Sequence, residues 1–330
     1  MTPTLRPMNL GEILDRTFHI YRSRFLQFVI VGAIPALAMR SIHIADGAWI
    51  HVHNLVHPAR SSIVLWNLVV SLGFFHISGF LGLLIQPAYV KLASSSVFNE
   101  RCSIASSLRF AAARWPTFLW TAVLKLLGTI LGSELLVGSL TIGVLFLLDA
   151  AGEMNGTGGL ALGLTMALAI VSCFCLFLWL SACFAFAIPN AAFEGLSAFK
   201  AMRRSRTLTR GSRGRIAFTW LMVLAISWIV GGGIQLLLRW IAYFLGNGAH
   251  PSAIVRLAYL PVSYTISTVF AAVIGPIFPI ALTLFYYDQR IRHEGYDIED
   301  MMESAGLNST AAQLIAKEPV APSTAQEDHA

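Results

Sequence analysis

The amino-acid sequence predicts an all-α protein of the polytopic membrane class, a helix bundle with about six transmembrane helices. Hydrophobic residues make up 56% of the chain and charged residues only 12%, whereas a water-soluble protein has about 25% charged residues. The mean hydropathy is positive, at +0.68. Apolar runs of about 20 residues, each long enough to cross a bilayer, recur along the chain. Lipid is therefore the expected solvent for much of this protein.

The apolar runs give the order of the spans. The first run reaches full length only if Arg40 extends to the lipid head groups. The third and fifth runs exceed the thickness of the hydrocarbon core, so we expect them to tilt, break or project beyond it. Glycines 231–233 are a candidate break, or a site of close helix packing, and Gly275-Pro276 with Pro279 is another candidate break. The predicted spans are residues 25–43, 63–86, 119–148, 160–188, 216–246 and 258–287.

The basic residues predict the orientation of these spans. Of the 23 lysines and arginines, 18 fall on the side of the two termini and four on the opposite side. By the positive-inside rule, both termini lie in the cytoplasm and the protein is a multi-pass protein of the cytoplasmic (inner) membrane. Residues 1–299 form the transmembrane domain, and residues 300–330 are expected to form a disordered cytoplasmic tail. Because the cations set topology, nucleic acid is not an expected partner.

Three amphipathic stretches, residues 9–24, 103–115 and 196–210, precede the first, third and fifth spans. Asn9 and Glu12 have the spacing of a capping pair. We expect each stretch to be an inner-surface helix with its apolar face in lipid and its cations toward anionic head groups. The pattern suggests three parallel repeats of two spans, near 9–98, 103–190 and 197–290. The alternative is that any protein with an even number of spans has basic, amphipathic inner loops.

Histidines cluster in the first predicted outer loop, near Asp46. Imidazole and carboxylate groups are suitable ligands for zinc or copper. His53 and His57 stand at i and i+4, which suits one face of a helix. His51 and His53 stand at i and i+2, which suits an extended segment, so one loop cannot easily satisfy both geometries. A metal site and a solvated histidine-rich loop both remain open. The histidines are His43, His51, His53 and His57.

Two ionisable residues fall near the centres of predicted spans, Glu134 in the third and His76 in the second. Ionisable groups inside a membrane are candidates for function. The two lie at similar depth, which allows a proton relay, a structural contact between two polar groups, or placement of Glu134 in a water-exposed helix break. Lys125, in the same span as Glu134, is expected to extend to the cytoplasmic surface.

The basic run from residue 200 to residue 215 predicts contact with anionic lipid head groups, at about 1 kcal/mol for each cation. The sequence contains no glycine-rich phosphate loop, GxSxG, HExxH or CxxC motif, and no cofactor is expected. The candidate head-group ligands are Lys200, Arg203, Arg206 and Arg210.

Three short motifs, within residues 11–22, 188–205 and 282–295, carry a family resemblance. They read GEILDRTF with YR, IPNAAFEG continuing to RS, and LTLFYYD continuing to EG. Together they resemble the bacterial membrane domain of glycerophosphoryl diester phosphodiesterases and its stand-alone relatives, over roughly residues 9–299. The resemblance implies a six-helix membrane module. It carries over no catalytic residue, because the hydrolase chemistry of the fused proteins belongs to a separate soluble domain.

Charged residues of these motifs fall at the predicted inner surface, with opposite charges at one depth. We expect them to form a salt-bridge network that locks the amphipathic helices to the bundle. The residues are Glu12, Asp15, Arg16, Glu194, Arg204 and Asp288.

The leading functional hypothesis is a non-enzymatic membrane module: a scaffold, an assembly partner of another membrane protein, or a lipid-organising protein. The alternative is a small-solute or lipid transporter that uses a polar mid-membrane site. An intramembrane hydrolase ranks third, because no nucleophile–base pair stands out. A polar cavity that reaches mid-membrane would favour the transporter, and a dry, close-packed bundle would favour the scaffold.

Overall fold

The computed structural model describes residues 7–56, 62–131, 133, 157–245 and 253–295. These residues form eleven α-helices and one π-helical turn, Leu127–Leu131. The helices are α1 (Leu10–Ser23), α2 (Phe25–Val56), α3 (Ser62–Val97), α4 (Ile104–Ala113), α5 (Trp115–Leu126), α6 (Thr157–Cys183), α7 (Ala187–Phe193), α8 (Ala198–Leu208), α9 (Arg213–Leu245), α10 (Ala253–Ile274) and α11 (Ile277–Glu294).

Five stretches of the described residues are long and apolar enough to cross a membrane, which confirms the all-α polytopic class. They overlap five of the six predicted spans. The third predicted span, 119–148, runs from α5 into residues outside the described part of the chain and stays a prediction, as does the predicted tail 300–330. The five stretches are Phe25–Ile50, His76–Val97, Ala167–Phe193, Arg213–Leu245 and Pro261–Glu294.

The first span is longer than predicted, because α2 continues without interruption to Val56. The prediction of an outer loop after residue 43 was wrong, because the second half of α2 occupies this stretch. Asp46 and the first three histidines of the cluster lie on this helix. The segment after Arg40 contains no proline, and its one glycine, Gly47, is tolerated within a helix at a cost of about 1 kcal/mol. Hydropathy marks where a helix leaves lipid, but it does not mark where the helix ends.

The predicted break at Gly275-Pro276 is confirmed, because α10 ends at Ile274 and α11 begins at Ile277. Proline has no N–H group, so it cannot bond the carbonyl of Ala272 four residues earlier. Helix α2 approaches this carbonyl closely: a Cβ atom added at Gly32 would lie 2.5 Å from Ala272 O. The break therefore creates a contact surface for α2.

The alternative break at glycines 231–233 was wrong, since α9 is continuous across them. The expectation of close packing holds at Gly231, where an added Cβ would lie 2.9 Å from the Phe270 ring of α10. It does not hold at Gly232 or Gly233, which have nothing within 4 Å of an added Cβ.

A short amphipathic helix that leads into the next helix through a brief junction occurs three times. Helix α1 leads into α2 through Arg24, α4 leads into α5 through Arg114, and α8 leads into α9 through residues 209–212. The two arginines have nearly the same backbone conformation, with φ −128° and ψ 33° at Arg24 and φ −121° and ψ 30° at Arg114. The second span of each predicted unit also contains a proline (Pro87, Pro189 or Pro279) beside a buried stretch. These shared features favour true repetition.

The main hydrophobic core lies around α11, at the end of the bundle where Met8, Arg215 and Asp288 meet. We call this end the basic end. Helix α11 packs against α1, α3 and α9, and its Ile280, Leu284 and Phe285 are almost fully buried.

The apolar faces of α1 and α4 pack largely against protein, not against lipid as predicted, whereas Phe199 of α8 is exposed. Ile13 and Ile20 of α1 are buried in the main core, and Ile104 and Leu108 of α4 pack against the same core. Only Phe18 of the predicted α1 face is largely exposed. An amphipathic pattern predicts that one face is buried, but it does not identify what covers that face.

Candidate functional site

The centre of the basic end is the carboxylate of Asp288, which is fully buried. The backbone N–H of Met8 donates to its Oδ1 at 2.7 Å. Arg215 donates to its Oδ2 at 3.2 Å, and Nε of Arg292, one turn along α11, donates to its Oδ1 at 3.0 Å. A buried carboxylate is stabilised when cations and N–H groups surround it in this way.

The same two arginines also hold the backbone before α1. Nη2 of Arg215 donates to Met8 O at 2.9 Å, and Nη2 of Arg292 donates to it at 2.7 Å. Both polar backbone groups of Met8 are thus bonded to side chains of α9 and α11. The arrangement clamps the N-terminal segment onto the bundle.

A second ion-pair group joins α7, α8 and α11. Arg204 of α8 donates to Glu194, at 3.2 Å, and to Glu294. Glu294 also accepts from Arg290 at 3.0 Å, and the Tyr286 hydroxyl donates to Glu194 at 3.1 Å. Glu194 and Arg204, two predicted members of the network, therefore meet here. Side chains of α11 hold both of them in place.

Arginines at the junctions connect the three units in a cycle. Arg24, between α1 and α2, donates to the carbonyl of Glu100 before α4. Arg114, between α4 and α5, lies against Gly195 before α8, where an added Cβ would be 3.3 Å from its Nη2. Arg215, at the start of α9, returns to Met8 before α1. Each unit therefore contacts the next, and the third contacts the first.

Of the predicted network members, Glu194 and Arg204 pair with each other, and Asp288 pairs instead with arginines outside the predicted set. The other three members lie elsewhere. Glu12 forms the predicted capping box, since its carboxylate accepts from the Asn9 backbone at 2.8 Å. Asp15 is exposed and is in no ion pair among the residues that the structure describes. Arg16 donates to Met8 Sδ at 4.0 Å, and its partial burial lowers the pKa of its guanidinium.

Sequence reasoning missed four members of the two ion-pair groups. The signal was present in α11, where Asp288 and Arg292, and Arg290 and Glu294, stand at i and i+4 and face each other on a helix. Arg215 offered no local signal, because its partners are distant in the chain. The missed residues are Arg215, Arg290, Arg292 and Glu294.

The candidate head-group cations of α8 and the following turn are all exposed. None of them is in an ion pair with an acidic group in the described part of the chain, although the Arg206 guanidinium lies 5.9 Å from the Phe184 ring centroid. Beside them Phe199 is 77% exposed. The four are Lys200, Arg203, Arg206 and Arg210.

The candidate metal ligands stand apart along α2. Nδ1 of His43 lies 2.6 Å from Met39 O, one turn earlier, and the His53 ring stacks on Trp49 at 5.8 Å. Within the described residues no three His, Cys, Asp or Glu side chains gather as metal ligands would. His57 and the side chain of His51 lie outside the described residues, so the metal site stays a prediction.

The mid-membrane pair is also untested. His76 lies on α3 and is half-buried, whereas Glu134 is outside the described residues. A contact between them stays a prediction.

A cavity of about 420 Å³ lies in the middle of the bundle. Lys125 lines it and is only 9% exposed, so the expectation that Lys125 extends to the cytoplasmic surface was wrong. We call this space the central cavity. Helices α2, α3, α5, α6, α9 and α11 contribute, among other residues, Met39, Gln86, Lys125, Ser181, Ile216 and Pro279.

A second cavity, of about 510 Å³, lies between α2, α9 and α10. Arg40 lines it, with its guanidinium 6.0 Å from the Tyr264 ring centroid, in place of the predicted extension to the head groups. Gln235 also lines it and accepts from Ser263 at 2.8 Å. Met39 and Gly275 line both cavities, so the two spaces adjoin.

Residues 157–304 match the model of a family described as the membrane domain of glycerophosphoryl diester phosphodiesterase. This stretch includes the second and third motifs that carry the resemblance, and α6 to α11. No curated protein and no solved structure matches the chain. Over residues 157–304 the chain is therefore similar to that membrane-domain family, and this similarity agrees with the resemblance that its motifs carry.

Proposed function

We propose that this multi-pass membrane protein is a non-enzymatic module that organises anionic lipids around its basic end. The observation that carries the proposal is the outer surface of α8. There, Lys200 and Arg203 are exposed beside the exposed ring of Phe199. Cations next to an exposed apolar side chain are the pattern of a helix that lies among anionic head groups.

The two faces of α8 support this role by their contrast. Arg204 points to the protein and is held by two glutamates. Arg203 and Arg206, its neighbours, are exposed and lack an acidic partner among the described residues. The excess of basic residues on the side of the termini supports a position of this surface at the cytoplasmic leaflet of the inner membrane, where anionic lipids attract cations.

The test is head-group crosslinking of the full-length protein in vesicles. A photoreactive phosphatidylglycerol should label α8, and the Lys200→Gln/Arg203→Gln variant should lower labelling of α8 at least fivefold, because each cation contributes about 1 kcal/mol. Arg239→Gln is the matched control, since Arg239 is also exposed but lies in the distal half of α9. Peptide mapping by mass spectrometry gives the labelled positions.

Equal labelling of α8 in the wild type and the double variant would overturn the proposal. So would equal labelling by a zwitterionic phosphatidylcholine probe, because attraction by cations requires a net negative charge.

The adjoining cavities favour lipid or solute transport as a second candidate. Each is lined by one cation, Lys125 or Arg40, and the Met39 side chain lies between them. Transport would require passage at Met39, so translocation of a fluorescent lipid in proteoliposomes should be slowed by Met39→Trp. A lack of translocation by the wild type would remove this candidate.

A further inference from the structure

The central cavity is lined by helices of all three units. Its lining comes from α2 and α3 of the first unit, α5 and α6 of the second, and α9 and α11 of the third. Its volume of about 420 Å³ lies within the range of 300–1,000 Å³ that is usual for small-molecule sites. Most of its lining residues are apolar, as the inner part of a ligand site usually is.

Two buried polar side chains of this lining have no partner in the part of the chain that the structure describes. Lys125 is 9% exposed and Gln86 is 5% exposed. Neither the ammonium nor the side-chain amide has a hydrogen bond or ion pair among the described residues. Such groups inside a membrane protein are costly unless something compensates them. A negative group would compensate Lys125, and a group that accepts or donates hydrogen bonds would compensate Gln86.

The backbone beside Lys125 is unusual as well. The π-helical turn Leu127–Leu131 begins two residues later, and π-helical turns occur frequently at functional sites. Thr129 of this turn donates to the Lys125 carbonyl at 2.7 Å and also lines the cavity. The turn therefore adds a hydroxyl group to the wall that carries the ammonium.

We propose that the central cavity binds an amphiphile with one negative charge, whose anionic group pairs with Lys125 and whose apolar part lies against the remaining lining. A single charge matches the one cation that the described residues contribute to the lining. Gln86 and the hydroxyl of Thr129 complete the polar part of the site. This site is separate from the lipid contacts proposed for α8.

Equilibrium binding to the full-length protein in a neutral detergent, followed by native mass spectrometry, tests the site with three probes. Dihexanoyl phosphatidylglycerol should bind at least tenfold more tightly than dihexanoyl phosphatidylcholine, which has no net charge. It should also bind at least tenfold more tightly than inorganic phosphate, which has no apolar part. Lys125→Gln should weaken phosphatidylglycerol binding at least tenfold, whereas Lys200→Gln/Arg203→Gln should leave it within twofold and so separates this site from the α8 surface.

A cavity-filling variant keeps the test valid if Lys125→Gln does not fold. Gly79 lines the cavity, and nothing lies within 4 Å of an added Cβ, so Gly79→Leu should fill the site and abolish binding with Lys125 in place. Gly73→Leu is the matched control on α3, since Gly73 is equally open but lies outside the lining. Unchanged binding in Gly79→Leu or in folded Lys125→Gln would overturn the proposal, as would equal affinity for phosphatidylcholine. Equal affinity for inorganic phosphate would replace the amphiphile with a free anion and overturn it too.

Discussion

Helix α9 and the stretch Pro261–Glu294, which includes all of α11, are equally apolar. They differ in burial, since the apolar part of α9 lies at the outside of the bundle and α11 lies at its centre. Their mean hydropathy is 2.1 in both cases, over the most apolar 18 residues. None of those residues is buried inside the protein in α9, whereas 50% are buried in Pro261–Glu294. Trp228 of α9 is 73% exposed, and Phe285 of α11 is fully buried.

The difference lies in the polar residues. Lipid tails are as apolar as a leucine side chain, so hydropathy does not separate a helix that faces lipid from one that faces protein. Helix α11 carries buried Thr283, Asp288 and Gln289. Asp288 accepts hydrogen bonds from Met8 and Arg215 on other segments as well as from Arg292 of its own helix. A helix that must satisfy a buried carboxylate is drawn to the centre of the bundle.

Removal of the Asp288 charge should have the largest effect on stability. Asp288→Asn loses the charge-assisted hydrogen bonds from Arg215 and Arg292 and leaves these two cations together around Met8 O. We expect a loss of about 3 kcal/mol in the free energy of unfolding, because removing one partner of a buried ion pair is strongly destabilising. The measurement is thermal unfolding of the purified protein in detergent.

The matched control for Asp288→Asn is Asp15→Asn, which removes an exposed carboxylate and should change the stability by less than about 0.5 kcal/mol. If the two variants unfold at the same temperature, Asp288 does not hold α11 at the centre.

Two leucine-to-alanine substitutions test the difference in burial between α11 and α9 without changing a charged residue. Leu282→Ala in α11 removes a fully buried side chain, and Leu237→Ala in α9 removes one that is 60% exposed. We expect the free energy of unfolding to fall by about 2–3 kcal/mol in Leu282→Ala and by less than about 0.5 kcal/mol in Leu237→Ala, because only the first substitution leaves a cavity inside the protein. Unfolding of both variants by the same denaturant series gives the difference. Equal losses would mean that α9 is covered as well, by another chain.

Composition and periodicity predicted the class, five of the spans, the Asn9–Glu12 capping box and the break at Pro276. Each of these depends on local chemistry: the apolar content of a run, the reach of a capping side chain, or the missing N–H of proline. The sequence could not predict that Lys125 lines a cavity. A lysine near the end of an apolar run can reach either lipid head groups or an interior space, and only the neighbouring helices decide between them.

The same limit explains the ion pairs and the end of α2. Asp288 and Arg292 could be paired from their spacing on one helix, but Arg215 and Met8 are brought together only by the fold. The end of α2 was missed because the prediction followed hydropathy, whereas the helix continues through residues 41–56, which contain no proline.

The glycines give the last and smallest test. An added Cβ at Gly32 would lie 2.5 Å from the backbone oxygen of Ala272, whereas at Gly233 it would meet nothing. Gly32→Ala should therefore force α2 away from the break and cost about 2 kcal/mol by overpacking. Gly233→Ala should stabilise α9 by about 0.5–1 kcal/mol, the usual difference between glycine and alanine inside a helix. Opposite signs in thermal unfolding would place a close approach of helices at the break, where the backbone carbonyl is open, and not at Gly233. The same sign for both would mean that α2 adjusts to the extra methyl group, and the break would then be a bend in the chain without a packing role.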